Sequence, residues 1–281
     1  MPFAKNGSRR YAPPMLEVPN DALNKMYATG RAVTSDGQTI VLQSVVRPEF
    51  ANSIYTLVKR ERPEVVVEVG LAHGATALAI ATALAENGSG QLVSIDPFQS
   101  TDWQGAAVAA LKRSGLAHVH TLIEEPDWVA LPQLVQELGR ACDLAYIDGL
   151  HSLEYVLLDF FYVDRLLRVG GVIGFNDCDW PAVIPTLRFA QRHRHYEPLD
   201  VGLPPLHGTR NELARTYLRA ESRCVPDGMR PSQLRAVGRL LGRRSEDQYF
   251  RKLDMWEPPQ GWMPRRLPSF RGSGEHPAAA G

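Results

Sequence analysis

Cysteine is scarce: Cys142, Cys178 and Cys224 are the whole set, and no two form a CxxC pair. That excludes a disulfide-framed secreted module and a zinc knuckle. Long apolar runs are missing as well. No stretch reaches the ~18 residues that a membrane span requires, and the opening MPFAKNGSRRYAPP lacks the apolar centre of a signal peptide. A cytoplasmic protein without a membrane partner is the expectation. Net charge is also absent, with 31 Lys+Arg against 31 Asp+Glu in 281 residues, which argues against a chain that coats nucleic acid. Lysine is rare, 5 against 26 arginines, a bias we read as that of a GC-rich bacterial genome. What is present in ordinary amount is apolar material, 44% of residues, enough for a buried core.

The chain reads as three parts: a helical segment or lid at 1–63, a core at 64–220, and a helical appendage with a flexible tail at 221–281. In the first part helices are predicted near Asp21 to Ala32 and from Pro48 to Arg60, the second with Phe50, Ile54, Leu57 and Val58 on one stripe. From Val65 onward, short apolar runs alternate with longer helical stretches. The runs are 65–69, 92–95, 119–123, 144–147 and 171–175, and the stretches are 76–86, 103–114, 131–140 and 152–167. This alternation predicts an α/β fold, a doubly wound, mostly parallel sheet covered on both faces. Beyond Asp200 the pattern breaks. Residues 202–208 are turn-rich, 213–218 suit either an edge strand or a helix, 231–243 look helical, and the last ten residues read as disordered. The zero net charge is a cancellation: residues 1–63 carry +4, 64–201 carry −10 and 202–281 carry +6. Basic ends folding over an acidic core, of the same or a second subunit, point to a homodimer or higher homo-oligomer.

Open α/β sheets bind ligands at the carboxyl ends of their strands. The first such end reads Glu68-Val-Gly70-Leu-Ala-His73-Gly74, directly before a helix. Two glycines let backbone approach a ligand, and the helix start presents amides. Ala72 departs from the dinucleotide pattern GxGxxG, and Glu68 would repel a pyrophosphate, which disfavours a nicotinamide oxidoreductase. The second strand ends in Asp96-Pro-Phe98, and an acid there suits a ribose diol. A turn acid before Pro97 is the plainer alternative.

The runs VVVEVGLAHGATALAIA, SIDPF and LAYIDGLHSLEYVLLDFFYVDRLLRVGGVIGFND resemble the class I S-adenosylmethionine-dependent methyltransferases. More narrowly they are similar to the bacterial O-methyltransferase-like branch with metal-dependent macrolide-sugar and catechol-type enzymes. The resemblance covers roughly residues 35–200. It implies S-adenosyl-L-methionine as cofactor, with Glu68, Gly70, His73 and Gly74 on its methionine part, Asp96 on its ribose, and Phe98 flanking the adenine. An acid in Glu124-Glu125-Pro-Asp127 would meet the adenine amino group, with Glu125 as the candidate.

Methyl transfer then needs an acceptor positioned and relieved of a proton. Asp148 ends the fourth strand, His151 follows three residues on, and Asn176-Asp177 end the fifth. Oxygen ligands on adjacent strand ends suit Mg²⁺, which would be held by Asp148, Asn176 and Asp177 and would acidify a bound hydroxyl. In the metal-dependent relatives the matching residues are metal ligands, and a histidine at the place of His151 acts as base. Many of those relatives have two acids where this chain has Asn176 and Asp177, so the site is one charge weaker.

Plainer roles compete. His151 could be a loop residue beside Ser152, which is expected to cap the next helix. Asp177 could be a turn acid before Trp180. Asp159 and Asp164 read as the solvated face of that next helix. His73 could close a pocket, Trp103 and Trp180 could pack or stack on an acceptor ring, Cys178 has no paired base, and Arg192 to His195 read as a helix end. The functional expectation is O-methylation of a small-molecule hydroxyl in a bacterial natural product: a sugar, aminocyclitol, polyketide or aromatic. N- or carboxyl-methylation on the same fold, or a non-catalytic cofactor-binding protein, are the alternatives.

Overall fold

The computed structural model describes residues 16–203 and 247–255. They divide into two units, the first drawn from Met1–Val66 and Leu71–Pro126, the second from Val67–Gly70 and Asp127–Gly281. The readings for 202–208, 213–218, 231–243 and the last ten residues, with Cys224, lie outside or almost wholly outside the described residues.

In the first unit, helix α1 (Asp21–Thr29) starts where the Asn20 side chain accepts the Leu23 amide and stops at Gly30, which takes the left-handed conformation. The sequence reading carried this helix to Ala32. Gly30 instead turns the chain into a hairpin of β1 (Arg31–Val33) and β2 (Thr39–Val41), which that reading missed. Helix α2 (Pro48–Glu61) begins on its proline and ends with Lys59 and Arg60, cations suited to a helix carboxyl end. Its expected stripe of Phe50, Ile54, Leu57 and Val58 is buried, each side chain contributing ~1.5–3 kcal/mol. The stripe packs on α3 (Ala75–Asn87), a helix so rich in Ala, Leu and Ile that it is buried nearly all round. Strand β4 (Gln91–Ile95) pairs in parallel with β5 (His120–Ile123), and α4 (Ala106–Arg113) connects them.

Strand β3 (Val65–Val69) leads into the second unit. There α5 (Asp127–Leu138), β6 (Cys142–Ile147), α6 (Leu153–Leu166) and β7 (Leu167–Phe175) follow in turn. β6 and β7 are parallel. Then come α7 (Ile184–His193), β8 (Tyr196–Leu199) and β9 (Gln248–Lys252), and β9 runs antiparallel between β7 and β8. The sheet order is β5-β4-β3-β6-β7-β9-β8, so the fold is α/β with a seven-stranded, mixed, mostly parallel sheet. The order reverses between β3 and β6, and at such a switch point the strand ends leave a crevice for chemistry. The helix end expected at Arg192 to His195 is the carboxyl end of α7. Among the described residues no helix is long and apolar enough to cross a membrane.

Two side chains of α6 correct the sequence reading. Asp159 and Asp164 are not solvated; they are 0% and 5% exposed. Asp164 is held by Lys252, whose ammonium lies 2.9 Å away, by the Tyr196 hydroxyl at 2.7 Å and by Arg194 at 3.7 Å. Asp159 has no hydrogen bond to either oxygen. Burial pushes its carboxyl well above the usual range, and Asp127 pushes the same way. A raised carboxylate pKa opposes folding as pH climbs, because the native state must then ionise a group that the unfolded chain ionises easily. Asp159 therefore favours the fold most below its unfolded pKa and least at alkaline pH.

Candidate active site

Two groups of side chains gather at strand ends, one in each unit. In the first unit the group forms around the loop Leu71 to Gly74. Its backbone turns through Ala72, a non-glycine residue at φ +45°, and Gly74 at φ +82°. So the position where the dinucleotide pattern would place glycine does adopt the conformation glycine favours. A Cβ on Gly74 would stand 2.7 Å from that of Ala107, which fixes how closely α4 approaches the loop. Asp96, 4% exposed, holds the loop. Its Oδ2 accepts the amides of Leu71 at 3.1 Å and Ala72 at 2.7 Å and the Gln99 amide at 3.1 Å; its Oδ1 accepts the Phe98 amide at 2.9 Å. Two of these bonds go to the loop and two to Phe98 and the Gln99 side chain just after β4, with three of the four on Oδ2.

His73 is buried in the same group. Its Nε2 accepts the Gln43 amide at 3.1 Å and its ring meets Trp103 edge to face at 5.0 Å; burial pushes its pKa down. That is a packing role for both rings. Phe98 is half exposed. Glu124 accepts the Ser100 amide and hydroxyl, at 2.5 and 2.7 Å, while Glu125 is exposed and not drawn into the group.

The second unit gathers Glu68, Gly70, Asp148, His151, Asn176 and Asp177. The strand ends are stitched directly: the Asp148 amide donates to the Val69 carbonyl at 2.8 Å, and the Asn176 amide to that of Ile147 at 3.0 Å. Gly70, at φ +89°, lies so close to the next strand end that a Cβ would stand 2.1 Å from the Asp148 carbonyl oxygen. Glu68 is fully buried. Burial pushes the Asp148 carboxyl well above the usual range, and the charges of Asp247, Asp177 and Glu68 push the same way. Asp177 sits at φ +50°, the left-handed region that Asp, unlike most side chains, enters readily in turns, and its carbonyl accepts the Trp180 amide at 2.8 Å.

His151 stands between the two acids, its Nε2 3.5 Å from Asp148 Oδ1 and 3.7 Å from Asp177 Oδ2. That nitrogen is buried and makes no hydrogen bond. Burial pushes its pKa below the usual value for histidine. Trp180 leans over the imidazole with ring centroids 5.5 Å apart. Ser152 does occupy the first cap of α6, but its side chain makes no capping bond there, contrary to the sequence reading. Cys178 is 2% exposed and donates to the Phe175 carbonyl at 3.1 Å, and burial pushes its thiol far up, so it is no nucleophile.

Three functional neighbours escaped sequence reasoning. Asp247 is 1% exposed and accepts from Asn176 Nδ2 at 3.0 Å, from the Tyr146 hydroxyl at 2.8 Å and from the Tyr249 hydroxyl at 3.3 Å. Burial pushes its pKa up to about 7, against the pull of the hydroxyl hydrogen bonds. Tyr146 carried a usable signal, since a tyrosine in a central strand must find a partner for its hydroxyl. Asp247 carried none. Among the described residues no cluster of three or more His, Cys, Asp and Glu side chains forms a metal-binding arrangement.

Residues 67–178 match the family model of a methyltransferase domain. No curated protein matches the chain in sequence. Among solved structures the chain is similar to the O-methyltransferase TomG from Streptomyces achromogenes, involved in tomaymycin synthesis and solved with SAM. The two are 18% identical over 64% of this chain and 82% of that one, with a TM-score of 0.52. It is also similar to an O-methyltransferase from Bacillus cereus solved with SAH, 16% identical over 56% of this chain and 76% of that one, with a TM-score of 0.50. Likeness at this identity establishes the fold, and the family match establishes the domain within it. Residues 67–178 thus carry the match to a methyltransferase domain, on a fold that the chain shares with these two O-methyltransferases.

Proposed function

We propose that the chain methylates a hydroxyl of a small molecule, most simply a sugar, aminocyclitol, polyketide or aromatic natural product. One observation carries this reading: a buried, unbonded His151 Nε2 held between the carboxylates of Asp148 and Asp177. The two solved relatives are themselves O-methyltransferases by name. The cofactor supplies an electrophilic methyl on a sulfonium that carries its own leaving group. The protein must bind it, aim the acceptor and remove a proton.

On this reading the Leu71 to Gly74 loop and the start of α3 take the methionine part, and Asp96 sets the loop's shape as well as offering oxygens to the ribose. Glu68 contributes negative charge suited to a cationic cofactor. His151 takes the acceptor proton: its depressed pKa keeps the ring neutral near pH 7, so its nitrogen is ready to accept. Asp177 stabilises the imidazolium that results, and Asp148 adds to this as the new positive charge favours its ionised form. Trp180 covers one side of the acceptor. The oxygen donors of Asp148, Asp177 and Asn176 suit a hard ion such as Mg²⁺, which when bound would orient a diol and acidify one of its hydroxyls.

The test is methyl transfer from labelled S-adenosylmethionine to a panel of vicinal diols, amines and carboxylic acids, with and without a chelator. Diols should be labelled. His151→Gln should lower turnover by about 10²- to 10⁴-fold while leaving S-adenosylhomocysteine affinity intact. The acid limb of the pH profile should lie below pH ~6.5, the usual pKa of histidine. Unchanged turnover in His151→Gln removes the base, full activity in chelator removes the ion, and labelling confined to amines or acids replaces O-methylation with the alternative chemistry.

A further inference from the structure

We propose that Asp247 is a positioning residue, which locks the Asn176 side chain so that its amide nitrogen faces Asp247 and its amide oxygen is turned away from it. Strand register brings the two side chains together. β9 pairs antiparallel with β7, with Phe175 opposite Gln248, so the next residues out, Asn176 and Asp247, end their strands side by side. Neither is solvated: Asn176 is 8% exposed and Asp247 1%.

The donors and acceptors then fit in one arrangement. An ionised carboxylate only accepts, and each tyrosine has one hydroxyl proton to give. Tyr146 and Tyr249 both donate to Asp247 Oδ2, at 2.8 and 3.3 Å. Asn176 Nδ2 donates to Asp247 Oδ1 at 3.0 Å and to the Tyr146 oxygen at 3.2 Å, which uses both of its protons. Rotating the amide by half a turn would set its oxygen against a carboxylate oxygen and leave the Tyr146 oxygen without its donor. Buried polar groups left unpaired cost about 1–3 kcal/mol each, so the rotated form is scarcely populated.

The consequence bears on the departure from the expected pair of acids. An asparagine can serve as an oxygen ligand or acceptor only if its nitrogen is kept away, and Asp247 does that from outside residues 67–178, the span of the domain match. The carboxylate missing at position 176 is thus present one strand over, set behind the amide. What the amide oxygen does, binding an ion or an acceptor donor, rests on the function proposed above; the orientation itself does not.

The experiment separates the two. Protein labelled with ¹⁵N in asparagine is examined by NMR at pH 8 in wild type, in the isosteric Asp247→Asn and in the exchanged pair Asn176→Asp with Asp247→Asn. Mn²⁺ binding is followed by electron paramagnetic resonance in the same three proteins. Expected in wild type is an Asn176 side-chain amide pair protected from exchange, lost or strongly shifted in Asp247→Asn. Mn²⁺ affinity should fall by about 10- to 100-fold in that variant, the usual penalty for disturbing a ligand's support, and recover in the exchanged pair, whose carboxylate needs no orienting. An Asn176 amide signal and exchange rate unchanged by Asp247→Asn would overturn the proposal. Mn²⁺ that fails to bind wild type would remove the ion from the proposed function while the amide signal still decides the orientation.

Discussion

Gly70→Ala should abolish binding of S-adenosylhomocysteine and lower stability by at least about 3 kcal/mol, measured by calorimetry and by urea unfolding. Two independent penalties meet at this position. At φ +89° any side chain is strained, at a cost of order 1–3 kcal/mol. The added Cβ would also lie 2.1 Å from the Asp148 carbonyl oxygen, 2.6 Å from its carbon and 2.9 Å from the Gly149 nitrogen. All three are backbone atoms, so no rotamer change relieves the clash. Nor can the strand ends part freely, because the Asp148 amide is bonded to the Val69 carbonyl at 2.8 Å. The chain between Glu68 and His73 must then shift, and with it the side chains at both ends of the loop. Gly88 is the control: it too has positive φ, +72°, but its Cβ would meet nothing within 4 Å. Ala there should cost only about 1 kcal/mol and leave ligand binding untouched.

Lys252→Met should cost about 3–5 kcal/mol, the penalty for removing one partner of a buried ion pair. The Lys252 side chain is 2% exposed, and its ammonium contacts Asp164 Oδ1 at 2.9 Å, the Leu167 carbonyl at 3.3 Å and the Asp164 carbonyl. Methionine fills the same volume but donates nothing. Asp164 keeps the Tyr196 hydroxyl and a longer contact to Arg194, so its charge is only partly offset. Replacing both partners, Lys252→Met with Asp164→Leu, should recover much of the loss, since an apolar pair of similar size leaves no buried charge. A single-variant loss under about 1 kcal/mol in urea unfolding would show that the pair is solvated in solution. The effect also reaches function. Lys252 anchors the far end of β9, the strand whose first neighbour is Asp247, so a loosened β9 should loosen the hydrogen bonds to Asn176.

How much of this could be read from sequence differs by element, for physical reasons. Strands β3 to β7 are flanked in the sheet by other strands or carry apolar runs throughout, so continuous hydrophobicity exposes them. The last two strands do not announce themselves. Tyr196 to Leu199 contains Pro198, and Gln248 to Lys252 carries polar residues whose burial depends on partners from elsewhere. The first hairpin was hidden because helix periodicity runs past Gly30 on composition alone. For Asp159 and Asp164 the sequence did hold a warning. Five residues on a helix of about 3.6 per turn place two side chains some 140° apart, too far to share one solvated face.

The site shows the same division. Glu68, Asp148 and Asn176 were found because topology puts strand ends where ligands bind, and strand ends can be counted. Asp96 stands out in sequence only as a candidate for a ribose diol, and its two hydrogen bonds to the loop are invisible there, because they depend on a turn through Ala72 that composition argues against. Asp247 lies 71 residues from Asn176 along the chain, and no pattern marks it.

On the function proposed above, the glycine loop holds S-adenosylmethionine and His151 serves the acceptor. Calorimetric titration of the folded chain with S-adenosylhomocysteine tests the first half most directly. One molecule bound per chain is expected, with a rise in melting temperature that grows with ligand concentration. Neither heat nor thermal shift from S-adenosylhomocysteine or S-adenosylmethionine would contradict it.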